Sequence, residues 1–332
     1  AVSVSAYETM IGTDGDGTRD SLEGNTISGN TTGGVEVVGD VHDTRIAGNV
    51  IGTNRAGTAA LPNRGDGIYA EGIGDDLVIG TQGDGTGDVS ERNIIAGNGQ
   101  NGVHLSADLS AAVVAGNFIG TNMDGTGAIG NGANGVLIDG GATGNMVGSD
   151  ADGTADASER NLISGNAESG VRIEGEGSDL NKVVGNYIGT HASGNSALAN
   201  AIGVRIENQA TNTLIGANLD PNLGNVVSGN TQEGIYIGAD CEATDVWRNM
   251  IGLNDLGTTA IGNGRNGIYL TAGAFDSDIR FNTIAHNVRA GVYLATTAGS
   301  GNYYEGNRIR SNGGLGVDLA PSGVNPNDPG DS

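Results

Sequence analysis

Three acidic segments of this 332-residue chain share one spacing. Asp14, Asp16, Asp20 and Glu23 recur as Asp150, Asp152, Asp156 and Glu159, while Asp84, Asp88 and Glu91 keep the same register with Gln82 in first place. Carboxylates at alternating and then wider intervals around a glycine can wrap oxygen ligands about a hard cation, which makes Ca²⁺ the natural ion, although the intervals are not those of a full EF-hand. The same acids can also be read as turn residues bonded to their own backbone, with Arg92 and Arg160 neutralising the adjacent Glu91 and Glu159.

A second set is scattered along the chain: Asp139, Glu174 and Glu207, then Arg172 and Arg205, then Tyr236, Tyr269 and Tyr293. Its members can act together only if the fold brings residues some thirty positions apart side by side. Carboxylates on adjacent strands about 4.8 Å apart would approach the separation used by retaining glycosidases, and alternate strands the wider inverting one. Like charges that close would raise the pKa of at least one acid, as general acid catalysis requires. The tyrosines would offer a platform for sugar rings. The structural alternative pairs Arg172 and Arg205 with Glu174 and Glu207 across strands and stacks the tyrosines as an aromatic column. Trp247, beside Arg248, is a further candidate sugar contact. His42, His104, His191 and His286 lack metal-like spacing and read as surface residues. Cys241 is alone, so it makes no internal disulfide and reads as a packed thiol.

The elements that would position these residues follow from a repeat. Gly followed by Val or Ile opens a phrase at Gly34, Gly67, Gly102, Gly135, Gly170, Gly203, Gly234, Gly267, Gly291 and Gly316, at intervals of 33, 35, 33, 35, 33, 31, 33, 24 and 25 residues. A second phrase, Asn-x-Val/Ile, lies between them, as at Asn49, Asn93, Asn117, Asn161, Asn186, Asn225, Asn249, Asn282 and Asn307, and a third apolar site precedes it at Ile46, Val114, Val183, Val246 and Ile279. Two-residue alternation, β-branched content and Gly/Asn punctuation predict strands, three per coil. Coils stacked in register make residue columns, with Asn side chains bonding along the axis. Within the Gly-Val strands the outward column then reads Glu36, Tyr69, His104, Leu137, Arg172, Arg205, Tyr236, Tyr269, Tyr293 and Asp318. Coils longer than about 24 residues carry insertions that alternate between two corners, predicting two ridges bordering one face.

The phrases Gly116-Asn117-Phe118-Ile119-Gly120-Thr121, Asn161-Leu162-Ile163-Ser164-Gly165-Asn166 and Asn134-Gly135-Val136-Leu137-Ile138 resemble the repeats of bacterial secreted and surface proteins that fold as right-handed parallel β-helices, a pectate-lyase-like solenoid. The resemblance covers essentially the whole chain. It implies an all-β fold of about ten three-sided coils over residues 1–320, with a linker-like tail at 321–332. That fold hosts lyases, hydrolases, epimerases, adhesins and inert spacers. The pectinase signatures Gly-His-Gly and Arg-x-Lys are absent from the sequence.

Composition narrows the partners. Thirty-nine acids against fifteen bases give a net charge of −24, with Lys182 the single lysine. Such a surface repels nucleic acid and anionic membranes. No apolar run approaches the roughly 20 residues of a transmembrane helix. The expectation is an extracellular, non-catalytic, adhesin-like module, secreted or at a bacterial or archaeal cell surface, that binds polysaccharide or a cell-surface glycan with Ca²⁺ and belongs to a longer chain. The alternative is a polysaccharide lyase or glycoside hydrolase using Asp139, Glu174 and Glu207 with Arg172 or Arg205. The acid excess also suggests adaptation to salt.

Overall fold

The computed structural model describes residues 2–3, 6–74, 76–217, 220, 222–271 and 273–320, so the tail expected at 321–332 lies outside the described residues. Three long parallel sheets run the length of the rod. The first holds eleven strands, from Val2–Ser3 to Val317–Leu319; the second holds ten, from Met10–Gly12 to Tyr303–Glu305; the third holds ten, from Thr26–Ile27 to Arg308–Arg310. Each strand pairs with its equivalents one coil before and after, and the chain is a right-handed parallel β-helix of about ten coils. Among the described residues helix is confined to single turns at Asp20–Leu22 and Asp156–Glu159, both inside insertions.

The inward residues form aliphatic columns. Ile68, Val103, Val136, Val171, Val204, Ile235, Ile268 and Val292 stack in the first sheet, and Ile46, Val114, Val183, Val246 and Ile279 in the second, all fully buried. Burying each such side chain contributes about 1.5–3 kcal/mol. The corners are closed by two asparagine ladders. Along Asn25, Asn49, Asn93 and onward to Asn307, each amide nitrogen donates to the next coil's amide oxygen at 2.9–3.1 Å. A second ladder runs from Asn30 through Asn63, Asn98 and Asn131 to Asn312. Apart from the end members Asn25, Asn30, Asn307 and Asn312, these amides are buried, where an unmade bond would cost about 1–3 kcal/mol. Glycine is required where coils touch: Gly80 has φ +105°, and an added Cβ would lie 1.9 Å from the Ala115 carbonyl oxygen.

The insertions form two ridges flanking the third sheet. On one side, short hairpins close at Thr53–Ala60, Thr121–Ala128, Thr190–Ala197 and Leu253–Ala260. Successive hairpins, carried on alternate coils, touch, with the Met123 amide donating to the Gly57 carbonyl at 3.1 Å and the Ala192 amide to the Gly125 carbonyl at 2.9 Å. The acidic segments form the other ridge. Between them Phe118, Leu162, Tyr187, Val226 and Met250 cluster on the outer face of the third sheet. Arg92 lies over the Phe118 ring and Arg160 over the Tyr187 ring, each at 4.2 Å. The bordered face is thus lined by the protein's own apolar and aromatic side chains, with a hollow of about 210 Å³ beside Arg160, Tyr187, Arg248, Met250 and Asp255, whereas the expected chemistry lies on the first sheet.

Candidate functional site

Parallel register delivers the outward column of the first sheet in the expected order. Neighbours pair as Glu36 with Tyr69, Tyr69 with His104, His104 with Leu137, Leu137 with Arg172, Arg172 with Arg205, Arg205 with Tyr236, Tyr236 with Tyr269, Tyr269 with Tyr293 and Tyr293 with Asp318. Positions two residues further on bring Glu71, Ser106, Asp139, Glu174 and Glu207 alongside.

The first half of this column is a closed charge network. His104 is not the plain surface residue expected: its Nδ1 lies 3.2 Å from Asp66 and its Nε2 3.0 Å from Asp139, and its side chain is largely buried. The Ser106 hydroxyl donates to the same Asp139 oxygen at 2.5 Å. Burial alone would lower the imidazole pKa, but the hydrogen bonds and charges of Asp139 and Asp66 outweigh it and raise the value to about 9. Asp139 moves the opposite way. Burial pushes it up, yet His104, Ser106 and the Arg172 charge hold it below the usual carboxylate range. The Tyr69 ring meets His104 edge-on at 5.0 Å, and the Tyr69 hydroxyl donates to Glu71.

Arginine pairs neutralise the next coils. Arg172 contacts Glu174 at 2.8 Å and Glu207 at 2.6 Å, and Arg205 contacts Glu207 at 2.6 Å. Glu207 is only 5% exposed and is clamped between two guanidinium groups. Asn208 donates to the same Glu174 oxygen, Oε2, at 2.7 Å. The expectation that crowded acids would yield a raised general acid therefore does not hold at Asp139, because cations, not like charges, are its nearest charged neighbours. The expected salt bridges across the strands are present.

The second half is aromatic and open. Tyr236 meets Tyr269 at 5.5 Å and Tyr269 meets Tyr293 at 5.3 Å, and Arg205 lies 5.2 Å over the Tyr236 ring. Beside them is a groove of about 550 Å³ lined by Tyr269, Tyr293, Glu233, Arg265, Arg289 and Asp318. Arg265 and Arg289 occupy equivalent places in successive turns, each two residues before a strand glycine, with the Arg289 amide donating to the Arg265 carbonyl at 2.9 Å. Arg265 reaches buried Glu233 at only 3.7 Å, and Arg289 enters no ion pair among the described residues. Aligning the turns as well as the strands would have found this pair in the sequence. Trp247 does not join the platform: it lies in the second sheet, paired with Gly216 and Arg280, and the Arg280 guanidinium lies over its ring at 5.7 Å.

The acidic ridge differs from the expectation in which residues it gathers. One oxygen each of Asp14, Asp16 and Asp20 lies within 4.8 Å of the other two, and the same holds for Asp150, Asp152 and Asp156. The glutamates instead close the loops: Glu23 accepts the Thr13 hydroxyl, Glu91 pairs with Arg45, and Glu159 accepts the Asp150 amide. Burial, reinforced by the charges of Asp150 and Asp156, raises Glu159 to about 7. In the middle segment Asp84 accepts from Gln82 and Asp88 from Thr81. Arg92 and Arg160 do not neutralise these acids; each donates to a backbone carbonyl, of Gly116 and Gly185.

Residues 223–326 match a family model described as periplasmic copper-binding protein NosD. The donor set does not suit copper, which favours imidazole and sulfur ligands. The matched part holds Cys241, whose buried thiol donates to the Gly238 carbonyl and is pushed up to about 12 by burial, and no convergent His/Cys group occurs among the described residues. Among solved structures, a mutant of the periplasmic alginate epimerase AlgG is similar over 85% of this chain and 68% of its own, at 11% identity and a TM-score of 0.52. The Dettilon tailspike protein is similar over 94% of this chain and 60% of its own (15% identity, TM-score 0.44). PfbA, a surface adhesin of Streptococcus pneumoniae, is similar over 90% and 77% (14% identity, TM-score 0.34). The first of these likenesses shows the fold alone, and the two lower scores carry no argument. No curated protein sequence matches. Among the described residues no helix is long and apolar enough to cross a membrane.

Proposed function

We propose that this chain is a polysaccharide-binding β-helix that works outside the cytoplasm, secreted or at a cell surface, and holds an extended glycan along the second half of its first sheet without cleaving it. The observation that carries this reading is the tyrosine column at Tyr236, Tyr269 and Tyr293 opening onto a groove with two stacked arginines. Tyrosine faces at coil spacing suit successive sugar rings, and the arginines favour a glycan bearing carboxylates, because guanidinium groups pair well with planar anions. Binding is favoured over turnover because the expected acids are already engaged within the fold: Asp139 by His104 and Ser106, Glu174 by Arg172 and Asn208, and Glu207 by Arg172 and Arg205. The copper-binding family's periplasmic description and the alginate epimerase's substrate fit a role among extracytoplasmic glycans. The acidic loops flank the third sheet, so a cation held there would brace the rod and not touch the glycan.

The test is incubation with a panel of neutral and uronate-containing polysaccharides, reading both binding and new reducing ends or unsaturated products. Retention of a uronate polymer without products is the expected result. Product formation lost in Glu174→Gln would replace this reading with the enzymatic one.

A further inference from the structure

The three acidic loops have one design and differ in how their carboxylates are satisfied. In the first loop Asp14 spends one oxygen on the Asp16 amide at 3.2 Å, and Asp16 spends one on the Thr18 amide at 2.6 Å. Each keeps a second oxygen. Asp20 is only 7% exposed, its Oδ1 is enclosed with no hydrogen-bond partner, and its carboxylate faces those of Asp14 and Asp16. Among the described residues no cationic side chain pairs with any of the three. A buried carboxylate oxygen lacking a donor is unfavourable unless a cation stands opposite it.

The sister loops show how the same acids are satisfied without one. In the middle loop the Gln82 amide donates to Asp84 at 2.6 Å, and the Thr81 hydroxyl donates to Asp88, the counterpart of Asp20, at 3.1 Å. In the third loop Asp156 receives the Ser149 hydroxyl at 3.1 Å and the Gly153 amide at 3.4 Å. In the first loop the equivalent hydroxyl, on Thr13, is turned to Glu23 at 2.9 Å, and Asp20 is left.

We propose that Asp14, Asp16 and Asp20 bind one Ca²⁺ ion. Three carboxylates with oxygen-only chemistry and a flexible glycine-rich loop suit its six to eight ligands, whereas Mg²⁺ demands a tighter octahedron. The loop that would hold the ion is already anchored to later coils: the Arg45 guanidinium donates to the Asp14 carbonyl at 3.1 Å, and Arg45 also pairs with Glu91, on which Gly15 packs so closely that an added Cβ would fall 1.9 Å from the Glu91 carboxylate.

Calorimetric titration of the chelator-treated chain with Ca²⁺ and with Mg²⁺ decides the matter. The expected result is one Ca²⁺ site, with Mg²⁺ at least tenfold weaker, lost in Asp20→Asn and in the exposed-site variant Asp16→Asn but kept in Asp156→Asn. Circular dichroism of each variant in chelator confirms that the coil is retained. No Ca²⁺ heat up to millimolar ion, or a site that survives both Asp16→Asn and Asp20→Asn, would overturn the proposal.

Discussion

The outward column of the first sheet has two halves built on identical backbone and opposite principles. From Tyr69 to Glu207 the charged groups satisfy one another: Asp66, His104 and Asp139 form a chain, and Glu207 is gripped by Arg172 and Arg205. From Tyr236 to Asp318 the column is aromatic, and its cations Arg265 and Arg289 stand over a groove. A charge that has found its partner within the fold stabilises the fold. One left beside an aromatic platform is available to something else. The halves should therefore separate stability from binding.

The largest expected effect is on stability in the first half. Glu207→Ala leaves Arg172 and Arg205 facing each other one coil apart, and it should cost about 3 kcal/mol in urea unfolding with glycan affinity unchanged. A silent substitution would show that the network is ornamental.

A pH scan sharpens the same contrast. The His104 pKa is raised in the folded state to about 9 from its ordinary 6.5, so its stabilisation is complete below about pH 6.5 and is lost as pH rises through 9. That contribution is roughly 2–3 kcal/mol. Melting temperature should fall between pH 7 and 10, and His104→Gln should flatten the fall. An unchanged slope in the variant would remove His104 as its source.

In the second half, Tyr269→Ala should weaken glycan binding about tenfold, ~1.4 kcal/mol, with little change in melting. Equal losses of affinity and stability would make the tyrosines a structural column only. The smallest effect is general: screening of the −24 charge should raise the melting temperature by a few degrees between low and high salt.

The fold was legible because a solenoid turns sequence period into spatial adjacency. The Gly-Val and Asn phrases mark strands and corners, and the whole outward column from Glu36 to Asp318 follows from their period alone. The partners were less so. Asp66 reaches His104 from the turn of the preceding coil, and Arg45 reaches Glu91 across 46 positions from another strand, so strand alternation alone does not reveal either contact. Trp247 follows Val246, an inward residue of the second sheet; alternation correctly turned it outward, but assigning its face required knowing which of three sheets that strand joins. The acidic loops showed their shared spacing in the sequence, yet which acids converge depended on where Gln82, Thr13 and Arg45 send their hydrogen bonds.

The most direct test of the glycan face is affinity electrophoresis through gels containing the polysaccharide that the panel selects. The account predicts that the wild-type chain is retarded, that Tyr269→Ala/Tyr293→Ala runs freely, and that Glu174→Gln is retarded as wild type. Equal retardation of the double tyrosine variant and the wild type would contradict it.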